Sequence, residues 1–200
     1  MVRELIIATR NPDKVREIER LLAGLEVRVR SLSDHPEIPE IPETAGTFAE
    51  NARAKAAVVA RATGAWALAD DSGLEIDALG GGPGTQSRRF AGEQATDADR
   101  IAKVLGMLED VADQARTARF QCAVAIAEPS GELHQVSGTC EGRIAREPRG
   151  SGGFGYDPIF VPVGESRTMA ELTLDEKNAI SHRGKALRAA VEMLRRLWES

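Results

Sequence analysis

Two adjacent aspartates, Asp70 and Asp71, follow the short apolar run at residues 66–69 in the stretch LADDSG. Neighbouring carboxylates repel each other, and the dry end of a buried strand penalises their charged forms, so such a pair needs positive charge nearby. Carboxylate oxygens are the ligands that Mg²⁺ prefers, and Glu43, in the preceding loop, is a third acid of this type. The three acids indicate a magnesium site; the structural alternatives are a strand-end turn at the aspartates and a solvated loop position for Glu43.

Two lysines supply positive charge close to these acids in the predicted fold. Lys14 lies in the stretch ATRNPDK, where Asn11 is typical of a helix N-cap and Pro12 of the first helical residue. This turn follows an apolar strand predicted at residues 5–8, and the free N–H groups at the start of a helix bind anions. Lys55 lies on the next predicted helix. Acids that hold a metal, together with lysines and a helix N-terminus, favour a phosphate ligand.

The common nucleotide and hydrolase motifs do not account for the glycine-rich stretches. GGGPG at residues 80–84 does not match the dinucleotide fingerprint G-x-G-x-x-G, and GSGGFGYD lacks the Gly-Lys-Ser/Thr ending of a P-loop. No G-x-S-x-G nucleophile elbow occurs, and the histidines at 35, 134 and 182 are not paired with a nucleophile in sequence. Cys122 and Cys140 have no histidine pair at zinc-site spacing.

The composition narrows the class of protein. Among 200 residues, 26 Lys and Arg against 31 Asp and Glu give a net charge of −5, which argues against nucleic-acid binding. No apolar run approaches the roughly 20 residues that a membrane span needs, and the N-terminus lacks the pattern of a signal peptide. Two cysteines do not make a disulfide framework, so we expect both to be reduced and the protein to be cytoplasmic.

Strand and helix signals alternate along the chain. Short strands are predicted at residues 5–8, 27–29 and 66–69, and a long hairpin turns at residues 129–132. Helices are predicted from residue 12 to Gly24, from the capping pair Thr47 and Glu50 to residue 63, at residues 97–108, after the capping pair Thr173 and Glu176, and after Ser181. This order predicts an α/β protein with a mixed sheet, in a single domain of residues 1–200.

Six segments carry a resemblance to a known family: ATRNPDK, ETAGTFAENARAKA, ADDSGLEIDAL, GGPGTQSRRFAG, GGFGYDPIF and EKNAISHRGKAL, in this order. Together, from residue 7 to residue 187, they resemble the inosine triphosphate pyrophosphatase family. The resemblance implies Mg²⁺-dependent hydrolysis of ITP, dITP and XTP to the monophosphate and pyrophosphate, which removes deaminated purines from the nucleotide pool. It also implies an elongated mixed β-sheet flanked by helices, two lobes with a central active-site cleft, and a homodimer.

The resemblance assigns roles residue by residue. Glu43 and Asp71 match the metal-associated acids, and Asp71 matches the general base; Asp70 either supports the metal ligands or stabilises the turn. Phe154 is expected to stack on the purine. Ser72 matches a further substrate contact. The other substrate contacts that the resemblance implies are, for the triphosphate, Thr9, Arg10, Asn11, Pro12, Asp13, Lys14 and Lys55; in the base pocket, Phe154, Gly155, Tyr156 and Asp157; and at the polar edge of the base, Lys177, His182 and Arg183.

The chain departs from the family pattern at three places. Arg10 stands where the family often has glycine, which gives the first turn a bulkier side chain and a further potential phosphate donor. Ala45 and Gly46 replace a glycine followed by a variable residue. Arg88 precedes Arg89 where a small residue is common, and this leaves open which arginine faces the site.

Two other functions compete with this interpretation. A related nucleotide hydrolase of the Maf type cleaves pyrimidine or modified triphosphates, but its strand-to-helix turn is serine-rich where this chain has TRNPDK. A sensor that binds nucleotides without turnover is the alternative from another class. Glu43, Lys14 and Asp71 together argue against a sensor, because binding alone needs no acid that activates water.

Overall fold

A computed structural model describes residues 3–199. In this part of the chain the strands are β1 (Arg3–Ile7), β2 (Val27–Ser31), β3 (Trp66–Ile76), β4 (Thr117–Ala127), β5 (Leu133–Ile144) and β6 (Phe160–Pro162). The helices are α1 (Pro12–Leu22), α2 (Phe48–Thr63), α3 (Asp97–Met107), α4 (Leu174–Ile180) and α5 (His182–Glu199). The strand order is β2-β1-β3-β4-β5-β6. Because β1 runs parallel to β2 and β3 while β5 and β6 are antiparallel, the predicted α/β fold with a mixed sheet is confirmed.

The chain divides into two compact units. The first comprises Met1–Asp71, Cys122–Gly138 and Arg183–Ser200, and the second comprises Ser72–Gln121 and Thr139–His182. The central cleft and the single-domain assignment stay predictions. No helix among residues 3–199 combines the length and apolar character that crossing a membrane requires.

Strand β1 is covered on both faces by the core of the first unit. Ile6 belongs to one buried cluster with the small α2 residues Ala52 and Ala56. Leu5 and Ile7 point to the opposite cluster, which is formed largely by α1 and α5. A strand that buries alternate side chains in two cores must be apolar throughout, and this explains the unbroken run at its end.

An aromatic pair closes the edge of the second of these clusters. Trp66, at the start of β3, and Trp198, near the end of α5, lie edge to face with ring centroids 5.8 Å apart. The second unit has a core of its own, in which Phe120 of β4 packs against Phe160 of β6 with a centroid separation of 4.6 Å.

Most predicted element boundaries agree with the structure to within a few residues. Thr47 caps α2, and Gly64 ends it in the left-handed conformation (φ 66°), as predicted. The Thr96–Asp99 pair at the start of α3 forms a complete capping box. The prediction that β3 ends before the aspartates is wrong, because Asp70 and Asp71 lie inside this 11-residue strand.

Candidate active site

The β1–α1 turn is built around the side chain of Asn11. Its Oδ1 accepts the N–H groups of Asp13 (2.9 Å) and Lys14 (3.3 Å), and Pro12 occupies the first turn of α1. The Asn11 N–H in turn donates to the hydroxyl of Thr9 at 3.2 Å. The helix start is therefore capped as predicted.

Arg10 makes contacts with backbone carbonyl groups that the sequence did not predict. Its Nη2 donates to the backbone carbonyl oxygens of His35 (3.3 Å) and Ile38. The N–H of Leu32 also donates to the carbonyl of Thr9 at 3.3 Å. Arg10 thus ties the turn to the segment that leads to Glu43, and its contact with the triphosphate stays a prediction.

Lys55 connects two of the acids. Its Nζ donates to Glu43 Oε1 at 2.5 Å and to the backbone carbonyl of Asp70 at 2.6 Å. The side chain is buried, and burial acts to lower its pKa, but the charges of Asp70 and Glu43 outweigh burial and raise the pKa. The lysine therefore stays charged and is held in place before any ligand arrives.

Asp70 is neutralised by two cations of the protein itself. Its Oδ2 accepts from Lys14 Nζ at 3.0 Å and from Arg183 Nε at 3.1 Å, and the residue is 2% exposed. Burial acts against ionisation, but the nearby charges of Lys14 and Arg183 hold the pKa of Asp70 well below its ordinary value. Arg183 also donates from Nη1 to Glu17 Oε2 at 2.6 Å. Asp70 thus belongs to a buried ion-pair network.

Asp71 has a different environment from its neighbour. Its Oδ2 accepts from Asn51 Nδ2 at 2.8 Å, and Asn51 Oδ1 accepts the N–H of Ala45 at 2.9 Å. Burial and, after it, the negative charge of Glu43 raise the pKa of Asp71, despite the opposing charge of Lys55. Two adjacent carboxylates therefore have opposite shifts, and Asp71 is the one that keeps affinity for a proton.

Glu43 and Asp71 fit a divalent cation. Both offer hard carboxylate oxygens, and they lie close enough that the charge of Glu43 raises the pKa of Asp71. A second group of potential ligands lies on the β4–β5 hairpin, where ligand atoms of Glu128, Glu132 and His134 fall within 4.8 Å of one another. There His134 Nε2 and Glu128 Oε1 lie at hydrogen-bond distance, 2.8 Å apart.

In the second unit, the glycine-rich loop at residues 152–157 folds around one carboxylate. Asp157 Oδ2 accepts the N–H of Phe154 at 2.9 Å and Lys177 Nζ at 2.7 Å. The Lys177 ammonium also lies 4.7 Å from the centroid of the Phe154 ring. At Gly153 (φ 69°) a side chain would collide with the Asp157 carboxylate, which explains the glycine. Three of the predicted base-pocket residues are thereby brought together.

His182 and Arg183 are consecutive in sequence but belong to different compact units, His182 to the second and Arg183 to the first. The His182 ring stacks on Phe120 with centroids 4.6 Å apart and an interplanar angle of 12°. Arg183, the next residue, binds Asp70 and Glu17 in the first unit. Ser72 follows Asp71 in β3 and is half-buried, and Arg89 pairs with Glu93 at 4.0 Å. Which of Arg88 and Arg89 faces the substrate stays a prediction.

Sequence reasoning missed three residues that hold the predicted groups in place. Asn51 binds Asp71, Glu17 binds Arg183, and Phe120 supports the ring of His182. The position of Asn51, four residues before Lys55 on the same helix face, was a usable signal. The sequence signal for Glu17 was weaker: it lies beside the apolar stripe of α1, where a side chain can be partly buried.

The first unit carries lysines, a helix N-terminus and several carboxylates, which are the kinds of groups that bind polyphosphates and divalent cations in proteins. The chain matches the family model described as Ham1 family over residues 5–193, and it belongs to that family.

Relatives and solved structures agree over almost the full chain. A dITP/XTP pyrophosphatase of Desulforamulus reducens is 51% identical over 195 residues, covering 98% of this chain and 97% of the relative. A dITP/XTP pyrophosphatase of Bacillus subtilis is 50% identical over 194 residues, covering 97% of this chain and 98% of the relative. The structure of a HAM1 protein from Coxiella burnetii superposes with a TM-score of 0.89 at 47% identity, covering 98% of this chain and all of that one.

Proposed function

We propose that this protein is a nucleoside triphosphate pyrophosphatase that hydrolyses dITP, XTP and ITP to the monophosphate and pyrophosphate. Relatives about half identical over nearly the whole chain carry the name dITP/XTP pyrophosphatase. The observation that supports the chemistry is the contrast between Asp70 and Asp71, whose pKa values are shifted in opposite directions. Asp70 is held in its charged form by its ion pairs, and Asp71 can act as a base.

The charges around Asp71 suit a metal–triphosphate complex. Glu43 pairs with Lys55, Asp70 pairs with Lys14 and Arg183, and the negative charge of Glu43 raises the pKa of Asp71. A divalent cation beside Glu43 and Asp71 would reduce this repulsion and add positive charge that attracts a polyanion. Lys14, Lys55 and the N–H groups at the start of α1 would then hold phosphate oxygens.

Mg²⁺ is the metal that we propose, with Glu43 and Asp71 as its protein ligands and water and phosphate oxygens completing its coordination. When bound, it supplies charge stabilisation to the departing pyrophosphate. Asn51 donates to one oxygen of Asp71 and so restrains the carboxylate that would meet the attacking water molecule. Asp71 then takes the proton from this water as it attacks the α-phosphate.

The loop around Asp157 would bind the base. Phe154 offers a ring for stacking on the purine, and Lys177 and His182 offer N–H donors to the C6 carbonyl that inosine and xanthine carry. Adenine has an amino group at C6, which would face these donors and leave them unpaired, and such a mismatch reduces binding by orders of magnitude. The contacts of Arg183 with Asp70 and Glu17 favour a role in the acid network over direct contact with the base.

A product assay tests the proposed function. The protein is incubated with Mg²⁺ and, separately, ITP, dITP, XTP, GTP, ATP and pyrimidine triphosphates, and the products are identified. Pyrophosphate and the monophosphate from ITP, dITP or XTP, with little turnover of ATP and GTP, are expected. Orthophosphate would indicate a phosphatase, preference for pyrimidine or modified triphosphates a Maf-type enzyme, and binding without product a sensor.

Replacing either Lys14 or Lys55 by alanine should weaken the use of all triphosphates to a similar degree. Each lysine would lose a charge-assisted hydrogen bond to phosphate, which is on the order of 1.5–3 kcal/mol, or roughly ten- to a hundredfold in kcat/KM. The ratio of ITP to GTP hydrolysis should not change. Arg28→Ala, which removes an exposed charge on β2, is the control. A changed ITP-to-GTP ratio at unchanged overall rate would place the lysine away from the phosphates.

A homodimer and a cytoplasmic location belong to the same proposal. Cys122 and Cys140 are both buried and unbridged, as expected for a reducing compartment. Burial raises the pKa of the Cys122 thiol to about 12, so it is unreactive at neutral pH. Light scattering at several protein concentrations would measure the oligomeric state.

A further inference from the structure

Asp97, the first residue of α3, makes a long-range contact with the loop of the predicted base pocket. Its Oδ2 accepts the backbone N–H of Gly155 at 2.7 Å, across 58 residues of sequence. Its other oxygen pairs with the guanidinium of Arg100, one turn further along α3. Both residues lie in the second unit, and Asp97 lies outside the six segments that carry the family resemblance.

The helix itself does not need this carboxylate as a cap. The hydroxyl of Thr96 accepts the N–H of Asp99 at 3.2 Å, and the Asp99 carboxylate accepts the N–H of Thr96 at 2.8 Å. This reciprocal pair satisfies the N-terminus of α3. Asp97 is therefore available for the loop, and the pairing with Arg100 orients its carboxylate toward Gly155.

The contact adds an attachment to the loop at Gly155, between two residues that are held by other hydrogen bonds. Phe154 is held from within the loop by Asp157, and the hydroxyl of Tyr156 donates to the carbonyl of Ser87 at 2.8 Å. Gly155 lies between them with φ 64°, a conformation that favours glycine. Because glycine has no side chain, packing cannot hold this residue in place. The hydrogen bond to Asp97 thus fixes the peptide group that joins Phe154 to Gly155, and so restrains the backbone that carries the Phe154 ring.

We propose that Asp97 is a positioning residue for base recognition: by holding the N–H of Gly155, it keeps the Phe154 ring oriented for stacking. This inference rests on the proposed function, because it takes Phe154 as the residue that stacks on the purine. A charge-assisted hydrogen bond of this length is among the stronger ones, so its loss should loosen the loop measurably. The phosphate-binding groups of the first unit should not be affected.

The test compares Asp97→Ala with Asp97→Asn, which keeps an oxygen acceptor. Hydrogen exchange of a peptide covering residues 152–158 should be about ten- to a hundredfold faster in Asp97→Ala and nearer to the native rate in Asp97→Asn. KM for ITP should rise about tenfold in Asp97→Ala, with a smaller change in kcat and recovery in Asp97→Asn. Asp110→Ala, which removes an exposed acid from the same unit, is the charge control.

The inhibition constant of inorganic pyrophosphate probes the phosphate side alone, and it should stay unchanged in all variants. Unchanged exchange in Asp97→Ala would overturn the inference, as would a fall in kcat alone that Asp97→Asn does not restore. Faster exchange with an unchanged KM for ITP would show that Asp97 holds the loop, but it would contradict the role of the loop in binding the base. Absence of ITP hydrolysis by the unmodified protein would contradict the proposed function itself.

Discussion

Replacing Asp71 by asparagine should lower kcat/KM for ITP by at least about a hundredfold, the lower range for loss of a general base. The amide keeps the shape of the side chain and an oxygen for Asn51, but it has neither the negative charge for a metal nor affinity for a proton from water. Turnover by Asp71→Asn within a few-fold of the unmodified protein, with the fold intact, would contradict the assignment of Asp71.

The same substitution should raise thermal stability in metal-free buffer. Because the folded-state pKa of Asp71 is raised, its contribution to the free energy of unfolding is fully present below the unfolded pKa and is lost as pH rises through the folded value. At neutral pH the ionised side chain therefore opposes folding, and asparagine removes this cost.

The adjacent residue is the matched control. The folded-state pKa of Asp70 is lowered, so its contribution is present above the unfolded pKa and is lost only as pH falls through the folded value. Asp70→Asn should therefore lower the melting temperature at neutral pH, opposite in sign to Asp71→Asn. Shifts of the same sign for both variants would show that the two environments are not distinct.

Replacing Arg183 by alanine should lower the free energy of unfolding by about 3–5 kcal/mol, the range for removing one partner of a buried ion pair. Arg183 lies between Glu17 and Asp70, and all three side chains are at most 5% exposed. Without the guanidinium, Glu17 and Asp70 each lose a buried ion-pair partner. Denaturant unfolding followed in the first unit measures the change.

Arg167 is a matched comparison for this variant. It also pairs with two carboxylates, those of Glu165 and Glu176, but its side chain is 41% exposed. Arg167→Ala should change the free energy of unfolding of the second unit, in which Arg167 lies, only slightly, because water and salt screen exposed pairs. Combining Arg183→Met with Glu17→Gln and Asp70→Asn should recover part of the lost stability. Equal losses in Arg183→Ala and Arg167→Ala would contradict the buried network.

Kinetics of Arg183→Ala distinguish the network from the family-based expectation for this residue. A residue that faces the base should affect ITP more than GTP and narrow the preference between them. A residue that holds Asp70 and Glu17 should reduce both activities in equal proportion. We expect the second outcome, measured under conditions in which the variant stays folded.

Local patterns predicted the parts of the fold that local physics decides. The caps at Asn11 and Thr47 and the glycine that ends α2 follow from backbone groups that need partners within a few residues. The boundary of β3 could not be predicted in this way, because aspartate disfavours strands locally and the ion pairs that permit it come from elsewhere. The partner of Asp70 illustrates the limit: Arg183 is 113 residues away, and no spacing rule connects them.

The same limit applies to predicting which groups neutralise the adjacent acids Asp70 and Asp71. Composition and spacing required positive charge beside Asp70 and Asp71, and a metal was the natural candidate. In the fold the two aspartates differ. Lys14 and Arg183 neutralise Asp70, whereas Asp71 and Glu43 repel each other, and a cation would relieve this repulsion. Only the three-dimensional arrangement shows that two consecutive carboxylates have pKa values shifted in opposite directions.

The aromatic residues give the protein two natural optical probes. Both tryptophans, Trp66 and Trp198, lie edge to face in the first unit, and the sole tyrosine, Tyr156, lies in the second unit with its hydroxyl bonded to Ser87. Tryptophan emission therefore follows the first unit, while the tyrosine signal follows the loop that Asp97 holds. If the two units unfold at different denaturant concentrations, the unmodified chain will show it as two non-coincident transitions, without any label.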